Sequence, residues 1–259
     1  MPSAFFLLTD FGLQDPYAGQ MKAALWSRVP QAQVLDLSHG VRPHNVLQAA
    51  FFLASSWPYL PPESIGLAVV DPGVGTDRSI LLGREGGKSV LAPDNGLLGL
   101  LLQSRPDSRL WRMQPPSPER EISSTFHGRD VFAPLACELA DHTPPSQLGT
   151  EIALNECSQL PLIRPKREGN RIQTVVIHID HFGNCVLNLP AAEWSPSIFA
   201  VSSLSVQYPR PGTVYPVSTY ARLEENQLGI LIGSQGYLEL ACNRDSCARK
   251  LGLDIGDEC

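Results

Sequence analysis

Four short segments place an acid or a histidine beside glycine or asparagine directly after a predicted strand. These segments are LLTDFG (7–12), VVDPGVGTDR (69–78), TFHGRD (125–130) and IDHFGN (179–184). A carboxylate in such a loop can accept hydrogen bonds from both hydroxyls of a sugar, and ligands of open parallel sheets bind beyond the carboxyl ends of the strands. The four segments are therefore candidate parts of a polar site for a small molecule.

The carboxylates of Asp10 and Asp71 each allow a structural and a functional interpretation. Asp10 either forms a turn after its strand or binds both hydroxyls of a ribose. Asp71 precedes Pro72 and two glycines, which favours a tight turn. Arg78 follows in the same segment and is either solvated or returns to pair with Asp71. The residues alone leave these alternatives open.

His127 and the segment from Asp180 to Asn184 add two further kinds of group. The six histidines contain no HxH or HExxH spacing, so we expect no metal site, and His127 is either structural or catalytic. The second segment offers a carboxylate, the ring of Phe182 and a carboxamide. Because asparagine hydrogen-bonds the edge of adenine in nucleic acids, this segment suits a nucleoside.

Alternating strands and helices position the first two segments. Apolar runs predict buried strands at 4–8, 34–37 and 65–70, and helical spacing predicts helices at 17–29 and 45–53. This βαβαβ order is typical of a parallel sheet with helices on its faces. Ligands bind beyond the carboxyl ends of such strands, where Asp10 and Asp71 stand.

A hairpin and a third long helix complete the first half of the chain. Strands at 79–82 and 89–92 flank the turn EGGK, and a helix is predicted over 131–139 with Asp130 as its cap. The segment GREGGKS (83–89) resembles a phosphate-binding loop, but Leu82 stands where that loop needs glycine. We therefore expect no phosphate loop there.

The composition changes near Asp141. The segments HTPPSQLG (142–149) and LPLIRPKREGN (160–170) predict a linker rich in proline and charge. Short strand candidates follow at 172–179, 203–208, 213–218, 227–232 and 237–241, with no helix before 246–251. We predict an α/β fold in which the N-terminal domain (1–165) has a mostly parallel sheet with flanking helices. The C-terminal domain (166–259) is predicted to be a small β-barrel-like domain.

Length and composition argue against several classes of protein. The chain has 259 residues and a net charge of −6 without a basic block, so no nucleic-acid partner is expected. Its apolar runs are too short to span a bilayer, so no membrane partner is expected. The N-terminal residues predict a first strand rather than a signal peptide, and the six scattered cysteines favour reduced thiols. We therefore expect a cytoplasmic protein.

Six motifs, in order along the chain, carry a resemblance to a known family. They are LLTDFG, DPGVGTDR, APDNGLL (92–98), TFHGRDVFAP (125–134), IDHFGN and GSQGYLELACN (233–243). The sequence resembles the S-adenosyl-L-methionine hydrolases, also called SAM hydroxide adenosyltransferases, which are similar in fold to fluorinases and chlorinases. The resemblance implies attack of water or hydroxide on the ribose C5′ of S-adenosyl-L-methionine. Methionine and adenosine are the implied products, and no cofactor is expected.

The same resemblance implies a role for individual residues. It assigns Asp71, Arg78 and His127 to catalysis, with either Asp71 or His127 taking the proton of the attacking water. Contacts to the substrate are implied for Asp10 (ribose hydroxyls), for Asp180, Phe182 and Asn184 (adenosine and methionine), for Tyr220 (stacking on adenine), for Ser234 (the methionine or ribose end), and for Glu239 and Cys242 (the nucleoside pocket). Gln235 and His44 stand where the related halogenases often carry arginine and tryptophan. A homotrimer with sites at subunit interfaces is also implied.

Two other functions are compatible with the motifs. A 5′-halogenase would use a halide in place of water, but halogenases carry tyrosine and serine where this chain has His127 and Gly128. The carboxylate of Asp71 would also repel a halide. A sensor that binds adenosine or S-adenosyl-L-methionine without catalysis would keep most of the same binding motifs. Hydrolysis is the function that we expect.

Overall fold

The computed structural model describes residues 4–115, 122–160 and 164–259. The chain divides into two compact units, Met1–Leu160 and Pro161–Cys259. Residues 161–163 of the predicted linker lie outside the described residues.

A seven-stranded sheet forms the centre of the first unit. Its strands are β1 (Ala4–Thr9), β2 (Gln33–Ser38), β3 (Ile65–Val69), β4 (Ile80–Glu85), β5 (Lys88–Pro93), β6 (Arg109–Met113) and β7 (Gly149–Ile152). The order across the sheet is β2-β1-β3-β5-β4-β6-β7, and β2, β1, β3 and β5 run parallel to one another. Strand β4 pairs antiparallel with β5 as the predicted hairpin, whose turn has positive φ at Gly86 and Gly87. The predicted mostly parallel sheet is confirmed.

Helices cover both faces of this sheet. The described part of the unit contains α1 (Tyr17–Arg28), α2 (Val46–Ser56), α3 (Gly99–Ser104), α4 (Ala133–Ala140) and α5 (Pro145–Leu148). Successive side chains of β1 point to opposite faces, so Phe5 and Leu7 pack with α1 and α4. Phe6 and Leu8 pack with α2 and α3 on the other face. This double burial explains why β1 is a continuous apolar run in the sequence.

One contact between β1 and β3 is unusually close. Phe6 and Gly66 are register partners, and a side-chain carbon built on Gly66 would lie 2.0 Å from the Phe6 ring. The same ring makes an edge contact with Trp57 at a centroid distance of 6.3 Å. Close packing, and not a positive φ, therefore requires glycine at position 66.

The structure confirms the predicted helices at 17–29, 45–53 and 131–139 but corrects one cap. Asn45 caps α2, since its side chain accepts a hydrogen bond from the backbone N–H of Gln48. Asp130 does not cap α4, because that helix begins only after a single π-helical turn over Gly128–Phe132. Asp130 lies within this turn, where its carboxylate accepts a hydrogen bond from the Ser123 N–H and pairs with Arg129.

The prediction of a linker after Asp141 is wrong for its first part. Residues 145–152 form α5 and β7, and β7 pairs antiparallel with β6. Gly149 allows this approach, because a side-chain carbon there would lie 2.4 Å from the Arg112 carbonyl oxygen. The strand is short and partly exposed at the edge of the sheet, so the sequence shows no apolar alternation that would predict it.

A six-stranded sheet forms the second unit, after a hairpin of β8 (Lys166–Glu168) and β9 (Arg171–Gln173). Its strands are β10 (Val176–Ile179), β11 (Cys185–Pro190), β12 (Leu204–Val206), β13 (Gly212–Pro216), β14 (Leu228–Ile232) and β15 (Tyr237–Cys242). The order is β10-β11-β15-β14-β13-β12, with β13 and β14 parallel and the other neighbours antiparallel. The sheet curls into half of a barrel, which confirms the predicted barrel-like fold.

Two helices of the second unit are α6 (Ala191–Ile198) and α7 (Cys247–Leu251). The prediction of no helix before 246–251 is wrong, because α6 follows Pro190 and contains Pro196, which obscure its helical character in the sequence. Its buried side chains belong to the core of the half-barrel. None of the helices in the described part of the chain combines the length and the hydropathy that a membrane crossing needs.

Candidate active site

Asp10 and Asp71 stand where the strand order of the first sheet reverses. From β1 the chain passes to β2 on one side and then to β3 on the other, so the carboxyl ends of β1 and β3 open a crevice. Thr9 and Val69 are register partners at these ends; Asp10 follows Thr9 directly, and Asp71 follows Val69 after one residue. The sheet therefore brings both acidic loops to one edge.

The loop that carries Asp10 is bonded to the loop after β2. Asp10 Oδ2 accepts a hydrogen bond from the His44 backbone N–H at 2.8 Å. The Gly12 N–H donates to the His39 carbonyl at 2.8 Å, and Gly12 has a φ of 68°, which glycine adopts without strain. These bonds fix the orientation of the Asp10 carboxylate at the crevice.

Arg78 pairs with Asp71 within the second loop. Arg78 Nη1 lies 2.8 Å from Asp71 Oδ1, and the two side chains are only 20% and 9% exposed. The same carboxylate oxygen accepts a hydrogen bond from the Gly73 N–H at 3.1 Å. A side-chain carbon on Gly73 would lie 1.5 Å from Arg78 Nη2, so the guanidinium occupies space that only glycine leaves open. The loop thus fixes a largely buried ion pair at the end of β3.

His127 immediately precedes the π-helical turn before α4 and is half-buried. Its segment packs on the Asp71 loop, since a side-chain carbon on Gly75 would lie 2.5 Å from the Ser124 carbonyl oxygen. Arg129 donates to the carboxylate of Asp130, and this bond, with a smaller contribution from the charge of His127, lowers the pKa of Asp130. The histidine therefore precedes an ordered turn, on a segment that packs against the loop of Asp71 and Arg78, and π-turns are frequent at functional sites.

Three aromatic rings connect the Asp10 loop with the His127 segment. The ring of Phe126 lies 5.8 Å from that of Phe11 and 5.2 Å from that of Tyr17, both in edge-to-face geometry. The guanidinium carbon of Arg129 lies 5.1 Å from the centre of the same ring. The structure thus brings the predicted residues of the first unit onto three adjoining loops.

Asn95 supports these loops, a role that the sequence analysis missed. Its Nδ2 donates to the Val70 carbonyl at 2.9 Å, and its Oδ1 accepts from the Leu97 N–H at 3.2 Å. Val70 directly precedes Asp71, so Asn95 fixes the point at which the second loop leaves the sheet. The motif APDNGLL contained this signal, because asparagine before glycine is typical of a turn held by its own side chain.

In the second unit, Asp180 and Asn184 build the loop between β10 and β11. Asp180 Oδ1 accepts hydrogen bonds from the backbone N–H groups of Phe182 and Asn184 at 2.9 and 2.8 Å. Asp180 Oδ2 accepts from Asn184 Nδ2 at 2.9 Å. Gly183 closes the loop with a φ of 86° and has no room for a side chain against Ser246. Both polar residues therefore shape the loop, and the ring of Phe182 is left 75% exposed.

Tyr220 and Glu239 form a second polar contact in this unit, through a hydrogen bond from the tyrosine hydroxyl to Glu239 Oε1. Glu239 is buried, at 7% exposed, and this burial raises its pKa. The bond from Tyr220 acts in the opposite direction, and the nearby charge of Asp180 raises the pKa further. Burial also raises the pKa of Tyr220, and the hydrogen bond to Glu239 and the charges of Glu239 and Asp180 raise it further. Asp180, Tyr220 and Glu239 therefore lie close enough to influence one another.

Ser234 and Cys242 flank this group at the two ends of β15. Ser234 is exposed in the turn between β14 and β15, and a side-chain carbon on its neighbour Gly233 would lie 2.5 Å from Glu239 Oε2. Cys242 is buried, which raises the pKa of its thiol, and Lys250 Nζ lies 3.8 Å from its sulfur. The predicted residues of the second unit thus lie along β15, its preceding turn and the neighbouring segments.

Within the described ranges, no three histidine, cysteine, aspartate or glutamate side chains form a group that could hold a metal ion. The site chemistry is that of carboxylates, a paired guanidinium, an imidazole and exposed rings. A parallel α/β sheet with such groups at its switch point, joined in one chain to a half-barrel with a carboxylate–carboxamide loop, defines a protein that binds a polar small molecule.

Comparison with known proteins identifies the family. Residues 5–149 match the SAM hydroxide adenosyltransferase N-terminal domain, and residues 174–259 match the corresponding C-terminal domain. The chain belongs to the SAM hydroxide adenosyltransferase family.

The similarity to named relatives and to a solved structure extends over nearly the full length of the chain. The chain is 37% identical to an (R)-S-adenosyl-L-methionine hydrolase of Thermus thermophilus, covering 97% of this chain and 96% of the relative. It is 34% identical to a protein of the same name from Salinispora tropica, covering 96% and 94%. A crystal structure of an uncharacterized conserved protein from Thermotoga maritima superposes with a TM-score of 0.88 at 29% identity, covering 98% of both chains. A fluorinase of Actinoplanes is more distant, at 24% identity over 96% of this chain and 94% of the relative.

Proposed function

We propose that this protein hydrolyses S-adenosyl-L-methionine to adenosine and L-methionine. The observation that carries the proposal is the largely buried Asp71–Arg78 pair, fixed at the switch point of the sheet by Gly73. Its support from comparison is the full-length similarity to proteins named (R)-S-adenosyl-L-methionine hydrolase. The substrate is a sulfonium, whose sulfur leaves C5′ as a neutral thioether, so no acid is needed to expel it.

The chemical difficulty is the nucleophile. Water has a pKa of about 15.7 and attacks carbon poorly unless it loses its proton or is stabilised as hydroxide. Arg78 supplies a fixed positive charge that favours hydroxide, and its Nη1 is held by Asp71. As the oxygen–C5′ bond forms, the electrons of the C5′–sulfur bond pass to sulfur and neutralise it. The proton of the water passes to Asp71 or His127.

The geometry of each unit supports the proposed binding roles. The Asp10 carboxylate, oriented by the His44 N–H, accepts hydrogen bonds from the ribose hydroxyls. The loop of Asp180 and Asn184, the rings of Phe182 and Tyr220, Ser234, and the β15 residues Glu239 and Cys242 frame the nucleoside and the methionine. Exposed rings support this role, since Phe182 is 75% and Tyr220 47% exposed.

We propose further that the enzyme is a cytoplasmic homotrimer that needs no metal or cofactor, with each site formed at a subunit interface. The sulfonium leaving group supports a reaction without a cofactor, because the bond to be broken is already activated. The six cysteines are scattered along the chain without a CxxC pair, which supports a reducing compartment. Sedimentation equilibrium tests the trimer.

A chromatographic assay in isotopically labelled water tests the activity. Purified protein with S-adenosyl-L-methionine should release adenosine and methionine in equal amounts, with the label in the 5′-hydroxyl. Addition of fluoride or chloride should produce no 5′-halogenated adenosine. A halogenated product would establish the halogenase instead, and binding of adenosine without its release from the substrate would establish a sensor.

A further inference from the structure

A chain of hydrogen bonds, buried at its inner end and exposed at its outer end, reaches the Asp10 loop from β2 and α1. Thr9 Oγ1 lies 2.8 Å from His39 Nδ1, and His39 Nε2 lies 3.1 Å from Asp36 Oδ1. Thr9 is fully buried and His39 is 4% exposed. At the outer end, Lys22 Nζ lies 2.6 Å from Asp36 Oδ2. With a neutral imidazole, each of these contacts joins one donor to one acceptor.

The order hydroxyl, imidazole and carboxylate is that of a hydrolytic triad, but this group cannot act as one. A nucleophilic hydroxyl must reach the substrate, and Thr9 has no exposed surface. The chain of bonds must therefore act on its surroundings.

Those surroundings are the residues on both sides of Asp10. Thr9 directly precedes Asp10, and Thr9 Oγ1 also accepts a hydrogen bond from the Phe11 N–H at 3.3 Å. The backbone of His39 accepts from the Gly12 N–H at 2.8 Å. A single histidine thus holds the Asp10 loop at both ends, through its ring and through its carbonyl group.

This arrangement matters because a carboxylate recognises a pair of hydroxyls only when both of its oxygens are directed at them. If the Thr9–His39 bond is lost, a buried hydroxyl or ring nitrogen is left without a partner, and the loop must shift to satisfy it. A small shift of the loop rotates the Asp10 carboxylate away from the ribose hydroxyls, whereas the adenine contacts in the second unit do not depend on it.

We propose that His39, acting through Thr9, is a positioning residue for Asp10 and thereby sets the preference of the enzyme for substrates with intact ribose hydroxyls. The role of Asp10 itself rests on the proposed function.

The test compares adenosine with 2′-deoxyadenosine and 3′-deoxyadenosine by calorimetry, in the wild-type protein and in Thr9→Val. The wild type should bind adenosine roughly tenfold or more tightly than either deoxy analogue, since a hydrogen bond to a carboxylate is lost in each. In Thr9→Val this preference should fall at least about fivefold, because adenosine binds more weakly while the deoxy analogues bind as before. In kinetics, KM for S-adenosyl-L-methionine should rise more than kcat falls.

Three further variants keep the test decisive. Thr9→Ser keeps the hydroxyl and should restore the preference. Asp36→Ala removes the outer partner of His39 from a side chain that is 40% exposed, and it decides the question if Thr9→Val does not fold. Lys22→Gln is the matched control, since it breaks only the outer ion pair and should leave the preference unchanged.

Two results would overturn the proposal. One is an unchanged preference in folded Thr9→Val, or in Asp36→Ala if Thr9→Val does not fold. The other is an equal loss of affinity for all three nucleosides, which would show a general structural effect. Failure of the proposed function is distinct from both, because it would appear in the wild type as absent hydrolysis and absent discrimination between nucleosides.

Discussion

Arg78 lies against Asp71, with Nη1 2.8 Å from Oδ1, in a loop where most of both side chains is removed from solvent. An arginine in such a position cannot swing away without leaving a poorly solvated carboxylate behind. The position of the guanidinium is therefore fixed before any substrate arrives, and a charge fixed in advance is what the proposed stabilisation of hydroxide requires.

Replacement of Arg78 by alanine should lower kcat by roughly 10²–10⁴-fold, because the fixed charge beside the nucleophile is lost. Adenosine should bind nearly as in the wild type, since the ribose contact is assigned to Asp10. Single-turnover kinetics and calorimetry measure the two quantities. Arg109→Ala is the matched control, as it removes another arginine–carboxylate pair at 2.8 Å that lies exposed at the sheet edge. A comparable loss in the control would contradict the catalytic role of Arg78.

Gly73→Ala should lower turnover in the same direction as Arg78→Ala without removing a polar side chain. The new methyl group would stand 1.5 Å from Arg78 Nη2 and force the guanidinium out of its place. Turnover should fall by about tenfold or more, because displacement of a catalytic group by about 1 Å can cost 10²-fold. Gly19→Ala in α1, where nothing lies within 4 Å, should leave turnover unchanged. Wild-type turnover in Gly73→Ala would show that the position of the guanidinium is unimportant.

Phe182→Ala should weaken substrate binding without loss of stability. The ring is 75% exposed and so contributes little to the fold, while stacking of a base on an aromatic ring is worth about 1–3 kcal/mol. We expect KM for S-adenosyl-L-methionine to rise by roughly fivefold or more, at an unchanged melting temperature. Tyr59→Ala, which removes a ring that is 79% exposed and outside the candidate site, is the control. An unchanged KM would exclude Phe182 from the binding surface.

The buried carboxyl of Glu239 should make stability depend on pH in a definite direction. Burial raises the pKa of Glu239 in the folded protein. The neutral carboxyl group therefore makes its full contribution to the free energy of unfolding at low pH, and this contribution is lost as pH rises through the folded pKa. Melting temperatures of the wild type and Glu239→Gln should therefore diverge in favour of the variant as pH rises above the ordinary carboxyl range. Tyr220→Phe should raise the pKa of Glu239 further and so move this divergence to higher pH, because the bond from Tyr220 lowers that pKa. A difference between wild type and Glu239→Gln that stays constant with pH would contradict a raised pKa.

The parts of the fold that the sequence predicts are those where burial leaves a pattern. Strand β1 lies between two layers of helices and is therefore a continuous apolar run, and α2 is predicted over 45–53 because its buried face recurs at helical spacing. Strand β7 and helix α6 escaped prediction because an exposed edge strand and a proline-containing helix lack those patterns. Their conformation depends on the strands against which they pack.

In the candidate site, too, contacts within one short segment could be predicted and contacts between distant segments could not. Asp71 and Arg78 belong to one short loop, so their pairing could be weighed from spacing alone. The position of Asp130 before an apolar helix predicts a cap, but its carboxylate instead pairs with Arg129 and accepts a hydrogen bond from the Ser123 N–H. The bond between Thr9 and His39 joins residues 30 positions apart, and local spacing carries no information about such a contact.

The close contact of Phe6 with Gly66 determines the register of β1 against β3, and thereby the position of the Asp10 loop. If β1 slid by one residue along β3, the Phe6 ring would meet Ile65 or Leu67 and every side chain of β1 would exchange faces, so the glycine admits a single alignment. That alignment makes Thr9 and Val69 neighbours, and hence brings the loops of Asp10 and Asp71 to the same edge of the sheet. One aromatic ring in the core, four residues before Asp10, thereby opposes an error in strand alignment. Such an error would separate the two acidic loops in a molecule that is otherwise folded.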